Sequence, residues 1–178
     1  MSETSAPAPV PAADTSVQTT IILAEVALHR IDAERIVGLH PGEPLAYHVV
    51  VPTDTEYNVL AAFLDHLSLF EMRAALAALK PVDRAEATTD AQEALEASIA
   101  LLDEAGGAAY GEPSGELADD DPLPRIRELV AQLDPYELIV VTRPHAVEDS
   151  FHADWASRAR EEFGIPVLHL YAGDWRVG

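Results

Sequence analysis

Two short apolar runs in the carboxyl-terminal part of the chain are separated by one amphipathic segment. The runs are Leu138–Val141 and Val167–Leu170, each bounded by turn residues. Such runs are typical of strands that are buried on both faces of a parallel sheet. Between them, Trp155, Ala159 and Phe163 recur at intervals of four residues, which predicts a helix that covers one sheet face. The pattern therefore predicts a complete strand, crossover helix and strand.

Further apolar patterns predict the elements that precede this unit. Strands are predicted at Ile21–Leu28, Arg35–His40, Tyr47–Val51 and Ala108–Gly111. Helices are predicted from Glu56 to Lys80, from a Thr88 or Thr89 cap to Gly106, and from Pro122 to Leu133. This alternation indicates an α/β fold, a Rossmann-like and mainly parallel sheet with helices on both faces.

The chain divides into a tail and one domain. Residues 1–20 are rich in Ala, Pro, Ser and Thr, which predicts a disordered tail. We expect residues 21–178 to form a single α/β domain, with residues 21–46 as an amino-terminal extension or as added strands. The acidic segment Glu112–Asp121 is predicted to be an exposed, mobile loop.

The charge of the chain excludes several classes of partner. The 178 residues contain 31 acidic and 11 basic side chains, and Lys80 is the only lysine. A formal charge of -20 repels polyanions, so we expect neither nucleic acid nor an anionic membrane as a partner. The absence of cysteine excludes disulfides, thiolate zinc sites and cysteine nucleophiles. No apolar run approaches the roughly 20 residues of a membrane span, and we expect a cytoplasmic protein.

Several local motifs carry a resemblance to a known family. Val49–Asp54 is similar to an opening strand that ends in valine-proline-x-aspartate, and Tyr110–Pro113 is similar to a third strand with a glycine-x-proline exit. Leu138–Val141 and Pro166–Leu168 are similar to the last two strands. In this order, over residues 47–171, they resemble the universal stress protein family. The resemblance implies a small α/β domain that is often dimeric and that, in one branch of the family, binds ATP.

Two departures from the family pattern bear on fold and function. The family places a second strand after the first helix, whereas Lys80–Glu86 reads as a loop, so a central strand is missing unless residues 21–40 supply it. The ATP-binding branch follows its fourth strand with a glycine-rich run, but Thr142–Ser150 contains no glycine. The carboxylates of Glu148, Asp149 and Asp154 crowd the same place and disfavour a triphosphate by about 1 kcal/mol or more.

The loops at the carboxyl edge of the predicted sheet supply the candidate ligand site. By the resemblance, Asp54 contacts a ribose or base, while its alternative role is to cap a helix. Arg143 and His145 are suited to a phosphate or carboxylate, or else pair with Glu148 or Asp149. The candidate ligand-binding residues are Val51, Thr53, Asp54, Gly111, Thr142, Arg143 and His145.

These residues do not point to one particular cofactor. ATP or AMP would be the cofactor if the domain binds a nucleotide, and no catalytic residue is assigned. The histidines and carboxylates between His145 and Asp154 lack the paired spacing of a zinc helix, so no metal is expected.

Three functional hypotheses follow. The first is a non-enzymatic, universal-stress-protein-like domain that acts as a regulatory or stress-response binding module. The second is an interaction subunit of a larger assembly, in which the amino-terminal arm or the 112–121 loop meets a protein partner and the ligand site is vestigial. The third is a small nucleotide-dependent enzyme that uses Arg143 and His145. The apolar strand at residues 167–172 is expected to be a sheet edge through which a homodimer forms.

Overall fold

The computed structural model describes residues 17–43, 45–53, 84–106, 111–119, 121–143 and 160–173. The strands are β1 (Gln18–Ala24), β2 (Leu45–Pro52), β3 (Ser114–Ala118), β4 (Glu137–Thr142) and β5 (Val167–Tyr171). The helices are α1 (Arg30–Gly38), α2 (Arg84–Gly106) and α3 (Leu123–Leu133), and residues 160–163 are also helical. The helix predicted from Glu56 to Lys80 lies outside the described residues, as do Trp155 and Ala159 of the predicted crossover helix.

The five strands form one parallel sheet in the order β3-β2-β1-β4-β5. β1 lies at the centre, where Ile22 is level with Val49 of β2 and with Ile139 of β4. This arrangement confirms the predicted α/β class and the parallel sheet.

Alternate residues of the central strands enter two separate cores. Ile21 and Leu23 point to the face covered by α3 and the 160–163 helical turn, where Ile126 and Phe163 are buried. Ile22 and its alternate neighbours point to the opposite face, which α1 and α2 cover. Helices therefore lie on both faces, as the unbroken apolar runs predict.

The strand predicted at Arg35–His40 is wrong, because these residues belong to α1 and the turn after it. Ala33 and Ile36 are buried three residues apart, which is a helical spacing. Asp32 caps the start of α1, because its carboxylate accepts the backbone N–H of His29 at 2.8 Å. The cap fixes the helix start, and the apolar residues that follow pack on the sheet as one helical face.

The third strand also differs from the prediction. β3 occupies Ser114–Ala118, inside the segment that was predicted to be a mobile loop, and Gly111 precedes the strand. The remainder of the predicted strand, residues 108–110, lies outside the described part of the chain. Gly115 is level with Val49, so close that an added Cβ would lie 2.5 Å from the Val49 carbonyl oxygen. Backbone pairing with β2 therefore fixes a strand whose side chains carry little apolar signal.

The amino-terminal segment supplies the central strand, which was one of the two alternatives left open by the sequence. β1 is that strand, and it begins at Gln18, inside the segment assigned to a disordered tail. The valine-proline motif consequently closes β2, the second strand of the chain. α2 begins at Arg84, inside the predicted loop, so Thr88 and Thr89 lie within the helix and do not cap it.

Candidate functional site

The carboxyl ends of β1 and β4 form the crevice in which sheets of this kind bind ligands. β2 and β3 continue the sheet on one side of β1, whereas β4 and β5 continue it on the other. In open α/β sheets, the connections after two such neighbouring strands run in opposite directions, and ligands bind between them. Glu25 follows β1 directly and Arg143 follows β4.

The side chain of Glu25 is buried at the ends of β1 and β4. Its backbone N–H donates to the Val141 carbonyl at 2.9 Å, which extends the pairing of β1 with β4. Its carboxylate Oε2 accepts the backbone N–H of Arg143 at 2.9 Å, and the residue is only 2% exposed. An amide that an open loop would offer to an anion is thus already bonded to a carboxylate.

A second buried carboxylate, that of Asp32, joins the start of α1 to the loop after β5. Asp32 Oδ2 accepts the His29 backbone N–H at 2.8 Å and lies 3.1 Å from His29 Nδ1. The backbone N–H of Gly173 donates to both carboxylate oxygens, at 2.9 and 3.1 Å. Gly173 has a φ of 70°, which favours glycine and aims its amide at Asp32. The loop after β5 is therefore fixed to the first helix.

The third polar contact of this edge lies between β4 and β5. The Thr142 hydroxyl is 2.8 Å from His169 Nε2, and both residues are buried. The His169 ring also meets the Tyr171 ring edge to face at 4.7 Å between centroids. Thr142 thus makes an internal hydrogen bond and does not face an open pocket.

The predicted ligand residues that the structure describes lie in three different places in the sheet. Val51 is fully buried in the core between the sheet and α2, and Thr53 lies at the end of β2, where its N–H donates to the Ala118 carbonyl at 2.9 Å. Gly111 lies at the opposite edge of the sheet, where an added Cβ would be 3.1 Å from Ala46 Cβ. Thr53 is two strands, or about 10 Å, from the end of β4.

Thr142 and Arg143 are the predicted residues that the structure places at the crevice. Arg143 supplies its backbone amide to Glu25. Asp54 and His145 lie outside the described residues.

Sequence reasoning missed Glu25, Asp32 and His169, although two of them left a signal. Glu25 follows the apolar run of β1 at once, so it belongs to the carboxyl edge as soon as that run is recognised as a central strand. Asp32 stands three residues after His29, at the spacing of a capping box. The sequence gives no such signal for His169, because its contact with Thr142 depends on the pairing of β4 with β5.

A separate polar cluster links β2, β3 and α3. Arg125 bonds to Glu116 on one side and to Glu128 on the other, with 2.7 Å between Nη1 and the Glu128 Oε2 atom. The hydrogen bond from Arg125 lowers the pKa of Glu116. His48 lies 3.0 Å from the Ser114 hydroxyl, and its pKa is lowered mainly by burial, against the opposing charge of Glu116.

At the amino edge of the sheet, His40 connects the end of α1 to β4. Its Nε2 is 2.8 Å from Glu137 Oε1, and its Nδ1 is 3.9 Å from Glu43 Oε2. The ring of Tyr136 meets the His40 ring edge to face at 5.0 Å. These contacts hold the turn after α1 against the start of β4, far from the carboxyl-edge crevice.

The arrangement of the described residues bears on metal binding and on membrane insertion. No group of three or more His, Asp or Glu side chains in the described ranges is arranged to hold a metal ion. Among the helices that the structure describes, none combines the length and the apolar character needed to cross a bilayer.

This chain is similar to known proteins in its structure. No protein-family model matches the chain, and no curated protein matches it. A hypothetical protein, PH0823, has a similar crystal structure, with 13% identity, a TM-score of 0.47, and coverage of 88% of this chain and 98% of that one. A universal stress protein from Archaeoglobus fulgidus is also similar, with 16% identity, a TM-score of 0.43, and coverage of 86% and 93%. The α/β class itself follows from the parallel sheet of this chain.

Proposed function

We propose that this protein is a non-enzymatic regulatory or stress-response binding domain that acts through contacts with proteins and does not hold ATP at its carboxyl edge. The sequence resemblance to universal stress proteins supports the stress-response assignment. The observation that carries the proposal is the hydrogen bond from the Arg143 amide to the buried carboxylate of Glu25.

Nucleotide phosphates need backbone amides and positive charge at the strand ends. Here the amides of Arg143 and Gly173 are bonded to the carboxylates of Glu25 and Asp32. A phosphate that displaced either carboxylate would leave a buried charge without its hydrogen bonds, which is costly. The edge is organised to satisfy its own groups, and this disfavours a polyanionic ligand.

The same geometry favours binding over catalysis. A general acid or base has to reach a substrate within hydrogen-bond distance. His169, which lies on β5 beside the end of β4, is buried and bonded to Thr142. Glu25 is likewise buried and bonded to a backbone amide. These contacts support a structural role for both titratable groups.

Calorimetric titration with ATP, AMP and inorganic phosphate tests the proposal. We expect no saturable heat with any of the three up to about 1 mM, a concentration that corresponds to about 4 kcal/mol of binding free energy. Micromolar ATP binding that Arg143→Ala abolishes would overturn the proposal. Release of phosphate or pyrophosphate at a rate proportional to protein concentration would instead support the enzyme hypothesis.

We also propose that the protein forms a homodimer through β5. β5 is an end strand of the sheet that the described residues form, since it pairs with β4 alone. Its sequence, Val167–Tyr171, is mostly apolar and carries no formal charge if His169 is neutral. Uncharged apolar edge strands favour pairing with a second copy, and a two-fold axis would bring two β5 strands together.

A further inference from the structure

An open groove runs between α2 and the segment that leads into β3. It has a volume of about 280 Å³ and is lined by Glu96, Ile99, Ala100, Asp103, Glu112 and Pro113. Three of these residues supply an apolar floor, and the other three supply carboxylates at the rim. This combination distinguishes the groove from the carboxyl-edge crevice, where the described carboxylates are buried.

The spacing along α2 places four of the groove residues on one face of the helix. Glu96, Ile99, Ala100 and Asp103 follow each other at intervals of three, one and three residues, while the opposite face of α2 packs on β2 and β3. Glu96 accepts a hydrogen bond of 2.8 Å from Gln92. From Glu96 to Asp103 the helix rises about 10 Å, so the two carboxylates stand at the two ends of the apolar floor.

The negative charge of the rim is not neutralised by the described basic residues. Asp103 and Glu112 have no hydrogen bond or ion pair with the basic side chains that the structure describes. Arg30, Arg125 and Arg127 are each paired with other carboxylates. The chain carries 31 acidic against 11 basic residues, so the groove lies in a strongly negative field.

We propose that this groove binds a basic peptide segment of a partner protein, in which two arginines or lysines flank small apolar residues. The inference rests on the proposed function, because it names the partner class of a domain that acts through protein contacts. A polyproline II segment has three residues per turn and rises about 3.1 Å per residue, so basic residues at positions i and i+3 lie on one side, about 9 Å apart, and match Glu96 and Asp103. The apolar residues between them meet Ile99 and Ala100.

The floor and the rim together select this occupant. Nucleic acids and lipid phosphates are repelled by the three carboxylates. A small polycation would satisfy the rim but would leave Ile99 and Pro113 exposed to water. A peptide with both kinds of side chain removes apolar surface from water and pairs the charges in one binding event.

An NMR titration of the full chain with a defined probe tests the proposal. The probe is acetyl-Gly-Arg-Leu-Ala-Arg-Gly-amide, and the control peptide carries Glu in place of both Arg residues. We expect saturable amide shifts at residues 96–103 and 112, and none with the control peptide. We also expect the probe to bind more weakly as the NaCl concentration rises, because exposed ion pairs are screened.

Two double variants with the same change in charge locate the interaction. Asp103→Lys with Glu112→Lys is expected to weaken binding about tenfold, since two attractions become repulsions. Asp119→Lys with Glu161→Lys alters exposed carboxylates that do not line the groove. This control pair is expected to keep the affinity within about twofold. An equal loss in both double variants would show long-range attraction alone and would overturn the proposal.

The variant Ala100→Glu separates the floor from the rim. It makes the protein more acidic but places a charged side chain over the apolar floor at an exposed helix position. The proposal expects weaker binding, whereas simple charge attraction expects stronger binding and would refute it. Absence of shifts at residues 96–103 would refute it too. The ATP titration remains independent, because nucleotide binding at Arg143 would overturn the proposed function whatever the peptide does.

Discussion

The carboxylate of Glu25 accepts a hydrogen bond of 2.9 Å from the backbone N–H of Arg143, a residue 118 positions later in the chain. The bond spans the ends of β1 and β4, the two strands between which open α/β sheets bind ligands. An acidic residue at this place binds a backbone N–H group that an anionic ligand would otherwise use.

Glu25→Ala is expected to lower the free energy of unfolding by about 2 kcal/mol, because hydrogen bonds to charged groups contribute about 1.5–3 kcal/mol. Glu25→Gln keeps the shape of the side chain and should lose less. Urea denaturation measures both. The exposed Glu34→Ala serves as the control, and its stability should stay within about 0.5 kcal/mol of the native value. Equal losses of stability at Glu25 and Glu34 would show that the hydrogen bond between Glu25 and Arg143 does not stabilise the fold.

Asp32→Asn is expected to loosen the loop after β5. The amide of Asn would place N–H donors against the amides of His29 and Gly173, whereas the carboxylate offers acceptors only. We expect a loss of about 2 kcal/mol in stability and faster hydrogen exchange at the Gly173 amide. Exchange at Ile139, in the middle of β4, is the internal reference. Unchanged protection of Gly173 would show that Asp32 does not hold this loop.

Gly115→Ala and Gly38→Ala form a matched pair of glycine substitutions. At Gly115 the added Cβ would lie 2.5 Å from the Val49 carbonyl oxygen and 2.7 Å from Leu95 Cδ1, so β3 has to move away from β2. We expect a loss of at least 1–3 kcal/mol. At Gly38 nothing lies within 4 Å, and alanine should be neutral or slightly stabilising. Thermal unfolding of the two variants measures both changes in stability. A loss at Gly115 alone would show that the close approach of β3 to β2 requires glycine there.

His48 is expected to make stability depend on pH. Its pKa is lowered, chiefly by burial, while Glu116 raises it and Arg125 lowers it. Between the lowered pKa and the ordinary value of about 6.5, the unfolded chain binds more protons than the folded chain. Stability should therefore fall as the pH drops through this interval. Urea midpoints at pH 7.5 and 5.5 should differ more in the native protein than in His48→Gln, and parallel changes would refute the assignment.

Analytical ultracentrifugation tests the homodimer proposed for β5. We expect a dimer for the native chain and a monomer for Leu168→Lys, because a charge on an edge strand opposes pairing with another copy. Ile31→Lys changes an apolar side chain that is 46% exposed on α1 and should leave the dimer intact. Circular dichroism checks that both variants stay folded. A dimer that persists in Leu168→Lys would place the interface elsewhere.

The parts of the fold that were predictable carry strong apolar patterns. β2, β4 and β5 are short apolar runs with clear ends, and α3 shows a plain helical period. β3 has no such pattern, because Gly115 and Glu116 lie at a sheet edge where backbone pairing with β2 provides the stability. Its position depends on a partner strand that is distant in sequence.

The candidate site was harder to predict than the fold for the same reason. The capping pair of His29 and Asp32 is local and can be read from spacing alone. The contact of Glu25 with Arg143 requires knowledge that β1 and β4 are neighbours. The sequence predicted a strand at Ile21–Leu28 without fixing its place in the sheet, so the opening-strand motif was assigned to β2, and Thr53 was chosen in place of Glu25.

The central place of β1 also shapes how the chain reaches its native state. During synthesis β1 emerges before β4, and one of its two edges stays open until β4 has been made. Until then its apolar residues have no cover on that side, and pairings of such long range form slowly. We infer that the sheet closes late and that the incomplete chain is the form most exposed to aggregation or to capture by chaperones.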